Sequence, residues 1–176
     1  GISRELIGEE IRAFEGLPHH LEFVRELRGI KYYNDSFSTN DMTCMAAVDS
    51  FDESMILICG GFDKGLDYGD WATKILTKIN LHVVILIGDT ADKMEEALIE
   101  AEEQLGEAMG SPTKVLRRDS LEDCVVDAMA ESEDEGVVVF SPAASSFDSY
   151  KNYKERGKQF MREVKKLKGF LFASVK

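Results

Sequence analysis

Three runs of this chain do not alternate between apolar and polar residues. They are Met55-Ile56-Leu57-Ile58-Cys59, His82-Val83-Val84-Ile85-Leu86-Ile87 (apolar after its first residue) and Gly136-Val137-Val138-Val139-Phe140. A strand with one face in water must alternate, so a strand that is apolar throughout is buried on both faces. That condition is met by a parallel sheet covered by helices. The intervening segments supply the helices. Helical periodicity is expected over 42–51, 70–79, 91–105, 121–129 and 149–167, and a short strand over 113–116. Repeated β–α units with short connections predict an α/β fold: a Rossmann-like three-layer sandwich with a mostly parallel sheet, right-handed crossovers and helices on both faces.

The chain opens differently. Ser3 to Glu15 has Leu6, Ile7, Ile11 and Phe14 on one helical face, with Ser3 as N-cap. Gly16-Leu17-Pro18-His19 breaks that pattern and reads as a hinge. Leu21 to Val24 and Ile30 to Tyr33 are β-rich runs around a turn at Arg28-Gly29, predicting an N-terminal β-hairpin. Residues 1–18 are therefore read as a terminal helix with its hinge, and residues 19–176 as one domain. An apolar stripe such as Leu6-Ile7-Ile11-Phe14 needs a cover, and the helix is expected either to dock on a neighbouring molecule or to be mobile.

Composition narrows the function classes. The 176 residues are 44% hydrophobic and 31% charged, as in water-soluble domains. No apolar run approaches the roughly 20 residues of a membrane span. Cys44, Cys59 and Cys124 have no CxxC spacing, so reduced thiols are expected and neither a metal site nor disulfides; a cytoplasmic location follows as an expectation. The net charge of −12 is matched by the acid excess between Asp89 and Glu135, while Ser149 to Lys176 is basic. General nucleic-acid binding is disfavoured. The basic stretch could attract an anion, but a solvated helix face is the preferred reading.

In an open parallel sheet, ligands sit beyond the carboxyl ends of the strands. Four loops are placed there: 34–40, 60–68, 88–90 and 141–148. Asn34-Asp35-Ser36-Phe37-Ser38-Thr39-Asn40 ends a strand and starts a helix, with Ser38 or Thr39 as cap and free N–H groups for an anion. Gly60-Gly61-Phe62-Asp63-Lys64-Gly65 lets backbone approach a ligand, with Lys64 as a point charge. It is neither GxGxxG nor GxxxxGK[ST]. The small residues of Ser141 to Asp148 leave room for a substrate, and no histidine is placed to form a Ser-His-Asp set.

Taken in order, FEGLPHHLEF (Phe14 to Phe23), YYNDSFSTN (Tyr32 to Asn40), GGFDKG (Gly60 to Gly65) and SPAASSFDSYKNYKERG (Ser141 to Gly157) resemble the C-terminal domain of the Mur ligase family. The similarity runs from about residue 3 onward and is greatest to the D-glutamate-adding branch. The resemblance implies a two-step ATP-dependent ligase: a carboxylate of UDP-N-acetylmuramoyl-L-alanine becomes an acyl phosphate, and the amine of D-glutamate attacks it. It implies D-glutamate contacts at Thr39, Lys64, Ser146, Phe147 and Tyr153. It implies nucleotide contacts at His19, His20, Asp35 and Phe37. ATP and magnesium are the implied cofactors of the complete enzyme, with none expected bound to these residues alone.

Two positions depart from the family pattern. Phe37 stands where the family usually has Lys, and His20 where it usually has Arg, so the positive charge toward the phosphates is weakened or moved elsewhere. A GxxGKT-like phosphate loop does not occur in the sequence either, so these residues are expected to fold without catalysing, and no catalytic residue is assigned. The helix from Ser3 resembles the last helix of the family's central domain. Alternative readings are a sibling ligase, a folylpolyglutamate synthase domain, or a non-catalytic binding module of the same fold.

Overall fold

The computed structural model describes residues 2–14, 16–106, 113–133 and 135–168. Six strands form a single sheet: β1 (Glu22–Leu27), β2 (Ile30–Asn34), β3 (Met55–Cys59), β4 (Leu81–Ile87), β5 (Lys114–Arg118) and β6 (Gly136–Phe140). Their order is β1-β2-β6-β3-β4-β5. Only β1 runs antiparallel, as the first arm of the hairpin with β2; every other pairing is parallel. The hairpin turns through Arg28 and Gly29, both at positive φ (58° and 80°), the backbone that suits a two-residue turn between twisted strands.

The non-alternating runs behave as their composition requires. Along β3, Met55, Leu57 and Cys59 face one core, and Ile56 and Ile58 face the other. The first core is covered by α2 (Asp41–Asp49), α3 (Gly69–Thr77) and α4 (Ala91–Leu105). The second lies under α5 (Leu121–Glu131) and α6 (Tyr153–Lys166). Trp71 on α3 and Phe160 on α6 are fully buried anchors of the two layers. Cys44, Cys59 and Cys124 are free and buried, and burial pushes the Cys44 thiol up to about 12.

The start of α6 and the cap of α2 differ from the sequence expectation. α6 begins at Tyr153 rather than Ser149, because the Asn152 side chain caps it by accepting from the Glu155 N–H. α2 is capped by Asn40, not Ser38 or Thr39; Asn40 Oδ1 accepts from the Thr43 N–H at 2.9 Å.

Helix α1 (Arg4–Ala13) is capped by Ser3 as expected and has no buried residue. Residue 15, where the sequence pattern ends this helix, lies outside the described residues. Leu6, Ile7, Ile11 and Phe14 are all exposed, between 45% and 69%. The domain does not cover this stripe.

Candidate functional site

All five parallel strands end on one edge, and there the loops are stitched together by backbone hydrogen bonds. The Asp35 N–H donates to the Phe140 carbonyl at 2.8 Å, fixing the 35–40 loop to the end of β6. The Gly60 N–H donates to the Pro142 carbonyl at 2.7 Å, and the Phe62 N–H to the Ser145 carbonyl at 2.9 Å, so the GGFDKG loop pairs with the loop after β6. Such closeness requires glycine. At Gly61 (φ +154°) a Cβ would lie 2.3 Å from the Ser145 carbonyl oxygen, and at Gly88 2.4 Å from Asp148 Oδ2.

Under these loops lies Arg156, 3% exposed, on the first turns of α6. Its Nη1 donates to the carbonyls of Ala144 (2.9 Å) and Ser145 (2.8 Å). Its Nη2 donates to the Ser36 carbonyl (2.9 Å) and its Nε to Ser36 Oγ (3.1 Å). One planar fork thus joins the loop after β2 to the loop after β6. The Ser145 carbonyl also accepts from Phe62, which draws in the loop after β3. Burial lowers the guanidinium to about 10, still charged at neutral pH. Sequence reasoning missed Arg156. The available signal was its spacing: four residues before Phe160 and eight before Val164, it falls on the buried stripe of an amphipathic helix.

The residues expected to contact D-glutamate come to this edge from three loops and α6. Lys64 Nζ donates to the Thr39 carbonyl at 3.0 Å, so the exposed cation of the GGFDKG loop reaches the loop after β2. Ser146 is buried, and its carbonyl accepts from the Tyr150 N–H at 2.8 Å. Phe147 is 64% exposed, its ring edge-on to Phe62 with centroids 6.3 Å apart. Tyr153 starts α6, and its carbonyl accepts from Ser36 Oγ at 2.8 Å.

Of the four residues expected near the nucleotide, three border one cavity and the fourth, His19, does not. His20 and Phe37, the two departures from the family pattern, pack ring against ring with centroids 3.9 Å apart. Phe37 in turn meets Tyr153 edge-on at 5.0 Å. Beside these rings a cavity of about 300 Å³ is lined by His20, Leu21, Asp35, Phe37 and residues of α2. Asp35 is buried with both oxygens engaged, Oδ2 by Ser141 Oγ (2.7 Å) and Oδ1 by the Leu21 N–H (3.1 Å). Burial raises its carboxyl, and these hydrogen bonds oppose the rise.

His19 is turned inward rather than toward the cavity. Its Nδ1 lies 2.8 Å from Asn34 Nδ2, and the imidazole is held below its usual value chiefly by burial. His19 and Leu21 both adopt positive φ (65° and 44°), uncommon for non-glycine residues. Their N–H groups are tied to the carboxylates of Glu22 and Asp35. The segment expected as a hinge is therefore pinned from His19 onward.

Curated relatives match this chain along most of its length. UDP-N-acetylmuramoylalanine–D-glutamate ligase of Geotalea uraniireducens is 43% identical over 157 residues, covering 89% of this chain and 32% of the relative. Its counterpart in Acetivibrio thermocellus is 37% identical over 163 residues, covering 93% and 34%. The Salinibacter ruber enzyme is 38% identical over 166 residues, covering 94% and 34%. The chain belongs to the Mur ligase family. It corresponds to the family's C-terminal domain and spans about a third of the length of these relatives. No family model matches the chain.

Solved Mur ligases share the fold of this domain. A murein peptide ligase from Psychrobacter arcticus aligns over 97% of the chain and 35% of its own, with TM-score 0.58 and 11% identity. A MurF ligase from Thermotoga maritima in complex with ADP aligns over 92% and 36%, with TM-score 0.53 and 15% identity. Among the described residues of this Mur ligase domain, no three His, Cys, Asp or Glu are grouped to hold a metal ion. No helix of the described residues is long and apolar enough to cross a membrane.

Proposed function

We propose that this domain binds D-glutamate for an ATP-dependent ligase that extends UDP-N-acetylmuramoyl-L-alanine in peptidoglycan synthesis. The observation that carries the reading is the meeting of Lys64 with Thr39 at 3.0 Å, on loops bonded to the one that bears Ser146. D-glutamate has two carboxylates. A lysine ammonium supplies a charge-assisted bond to one of them, and hydroxyl and backbone donors of the neighbouring loops serve the other. In the complete enzyme the terminal carboxylate of the UDP-substrate takes a phosphoryl group from ATP and becomes an acyl phosphate. The D-glutamate amine attacks that carbonyl, phosphate leaves, and the amine gives up a proton as the amide forms.

The domain's own part in that sequence is to hold and orient the amino acid. His20, Asp35 and Phe37, around their cavity, would border the nucleotide, with His19 supporting them from beneath. ATP supplies the phosphoryl group, and the phosphate loop and magnesium ligands belong to parts of the ligase other than these residues. We therefore assign residues 1–18 to the boundary with a central domain and residues 19–176 to the amino-acid-binding unit, cytoplasmic and without turnover by itself. The relatives' names favour this over a sibling ligase, a folylpolyglutamate synthase or a binding module.

The reading is tested by adding D-glutamate and, separately, L-glutamate to the isotopically labelled chain and following backbone amide resonances. D-glutamate is expected to shift Thr39, Lys64 and Ser146, and L-glutamate to do so far less. Equal response to both enantiomers, or shifts confined to other parts of the chain, would overturn it.

A further inference from the structure

The edge that borders the nucleotide in this reading carries two rings, His20 and Phe37, and no lysine or arginine among the described residues that line its cavity. A polyphosphate cannot be held by rings alone; it takes lysine, arginine or N–H donors. Helix α6, whose first residue Tyr153 meets the Phe37 ring edge-on, brings such charges next to the rings. Residues 154, 157 and 158 share one face of that helix, being three and four apart. Gly157 packs directly on His19: a Cβ there would lie 2.3 Å from His19 Nδ1. Lys154 and Lys158 therefore flank the point where α6 sits on the His19 imidazole.

Two further observations agree with that placement. Lys154 Nζ stands 5.9 Å from the Tyr153 ring centroid, and Tyr153 is in edge contact with both Phe37 and His19. Lys154 and Lys158 also both act electrostatically on His19, lowering its proton affinity against the opposing pull of Glu22. Both lysines are exposed, and among the described residues neither is in an ion pair. The acidic neighbour, Glu22, is already occupied by the His19 N–H and by Asn34 Nδ2.

We propose that Lys154 and Lys158 form a cationic rail on α6 that holds the polyphosphate of the nucleotide over the His20–Phe37 rings. The rail does the work that a fixed cation at position 20 or 37 would otherwise do. This proposal rests on the reading that a nucleotide approaches this edge, and it adds residues that the sequence motifs did not single out. The shared ligand chemistry is an anion, and D-glutamate is an anion too. The assignment here is to phosphate, because the rail lies on the His19–Phe37 side, whereas Lys64 lies with Thr39.

The experiment uses the chain itself, with inorganic tripolyphosphate as the probe and calorimetry and amide resonances as readouts. Tripolyphosphate is expected to shift residues 154, 158 and 37. The double variant Lys154→Gln/Lys158→Gln is expected to bind it about tenfold or more weakly. Lys165→Gln, at the far end of α6, should change little. Without any ligand, the double variant should also raise the His19 imidazole pKa, since two cations have been removed from its surroundings.

Unchanged tripolyphosphate affinity in the double variant would overturn the proposal, as would an equal loss in Lys165→Gln or an absence of binding to the unaltered chain. A double variant that loses D-glutamate and keeps tripolyphosphate would overturn it too, because the rail would then serve a carboxylate. The D-glutamate shifts at Thr39, Lys64 and Ser146 are read separately in the unaltered chain. Failure of the rail is thus distinguishable from failure of the functional reading.

Discussion

Arg156→Ala is expected to lower the stability of this domain by about 3–5 kcal/mol and to abolish ordered ligand binding at the strand-end edge. The four oxygens that Arg156 serves belong to Ser36, Ala144 and Ser145. A buried acceptor left without a partner costs about 1–3 kcal/mol, and water entering the vacated space recovers part of the total. Arg156→Lys keeps a charge but not the planar fork, so it can serve only some of those oxygens and should fall between the two. Urea unfolding measures the stability. Amide resonances of residues 36–40 and 144–147 report whether the loops have come apart. A loss under about 1 kcal/mol with those resonances unmoved would mean that the loops hold their positions without Arg156.

Gly60→Ala should be as damaging for a different reason. Gly60 has φ +114°, and an added Cβ would fall 1.9 Å from the Ile87 carbonyl oxygen. That oxygen is backbone at the end of β4, so the obstruction cannot rotate aside. A left-handed backbone costs about 1–3 kcal/mol, and forced repacking typically about 1–3 more, for a total of about 2–6 kcal/mol. Gly65→Ala is the internal comparison. Gly65 has φ +76° but nothing within 4 Å of its absent Cβ, so only backbone strain remains, on the order of 1 kcal/mol. If the two variants unfold at the same urea concentration, close approach is not what fixes glycine at position 60.

The sheet was legible because its signal is chemical and local. Runs such as Met55 to Cys59 cannot be stable with a face in water, so three strands and the layers above and below them follow from composition alone. The hairpin was legible from Arg28-Gly29, where the turn demands positive φ. What escaped was whatever depends on contacts between distant segments. Nothing local distinguishes Asn40 from Ser38 and Thr39 as a cap, since all three can accept a backbone N–H.

The site shows the same division. Topology places Lys64 and Thr39 on neighbouring loops, and they touch. The motif puts His19 at the nucleotide, yet it is buried against Gly157 and Asn34, and the first of these contacts spans most of the chain. The direct packing of His20 on Phe37 was likewise invisible, because the two lie on separate motifs and the sequence presents them as independent departures. Arg156 sits in a stretch whose basic composition suggests a solvated helix face. Only its spacing to Phe160 and Val164, both fully buried, marks its own face as the inner one, and charge draws attention away from that spacing.

The central claim is that the Lys64–Thr39–Ser146 edge takes D-glutamate, and calorimetric titration of D-glutamate into the chain and into Lys64→Ala tests it most directly. A charge-assisted hydrogen bond to a carboxylate contributes about 1.5–3 kcal/mol. The variant should therefore bind D-glutamate roughly ten- to a hundredfold more weakly. Its unfolding should be nearly unchanged, because Lys64 is exposed and its bond is to a surface carbonyl. Equal D-glutamate affinity in the two proteins would contradict the account.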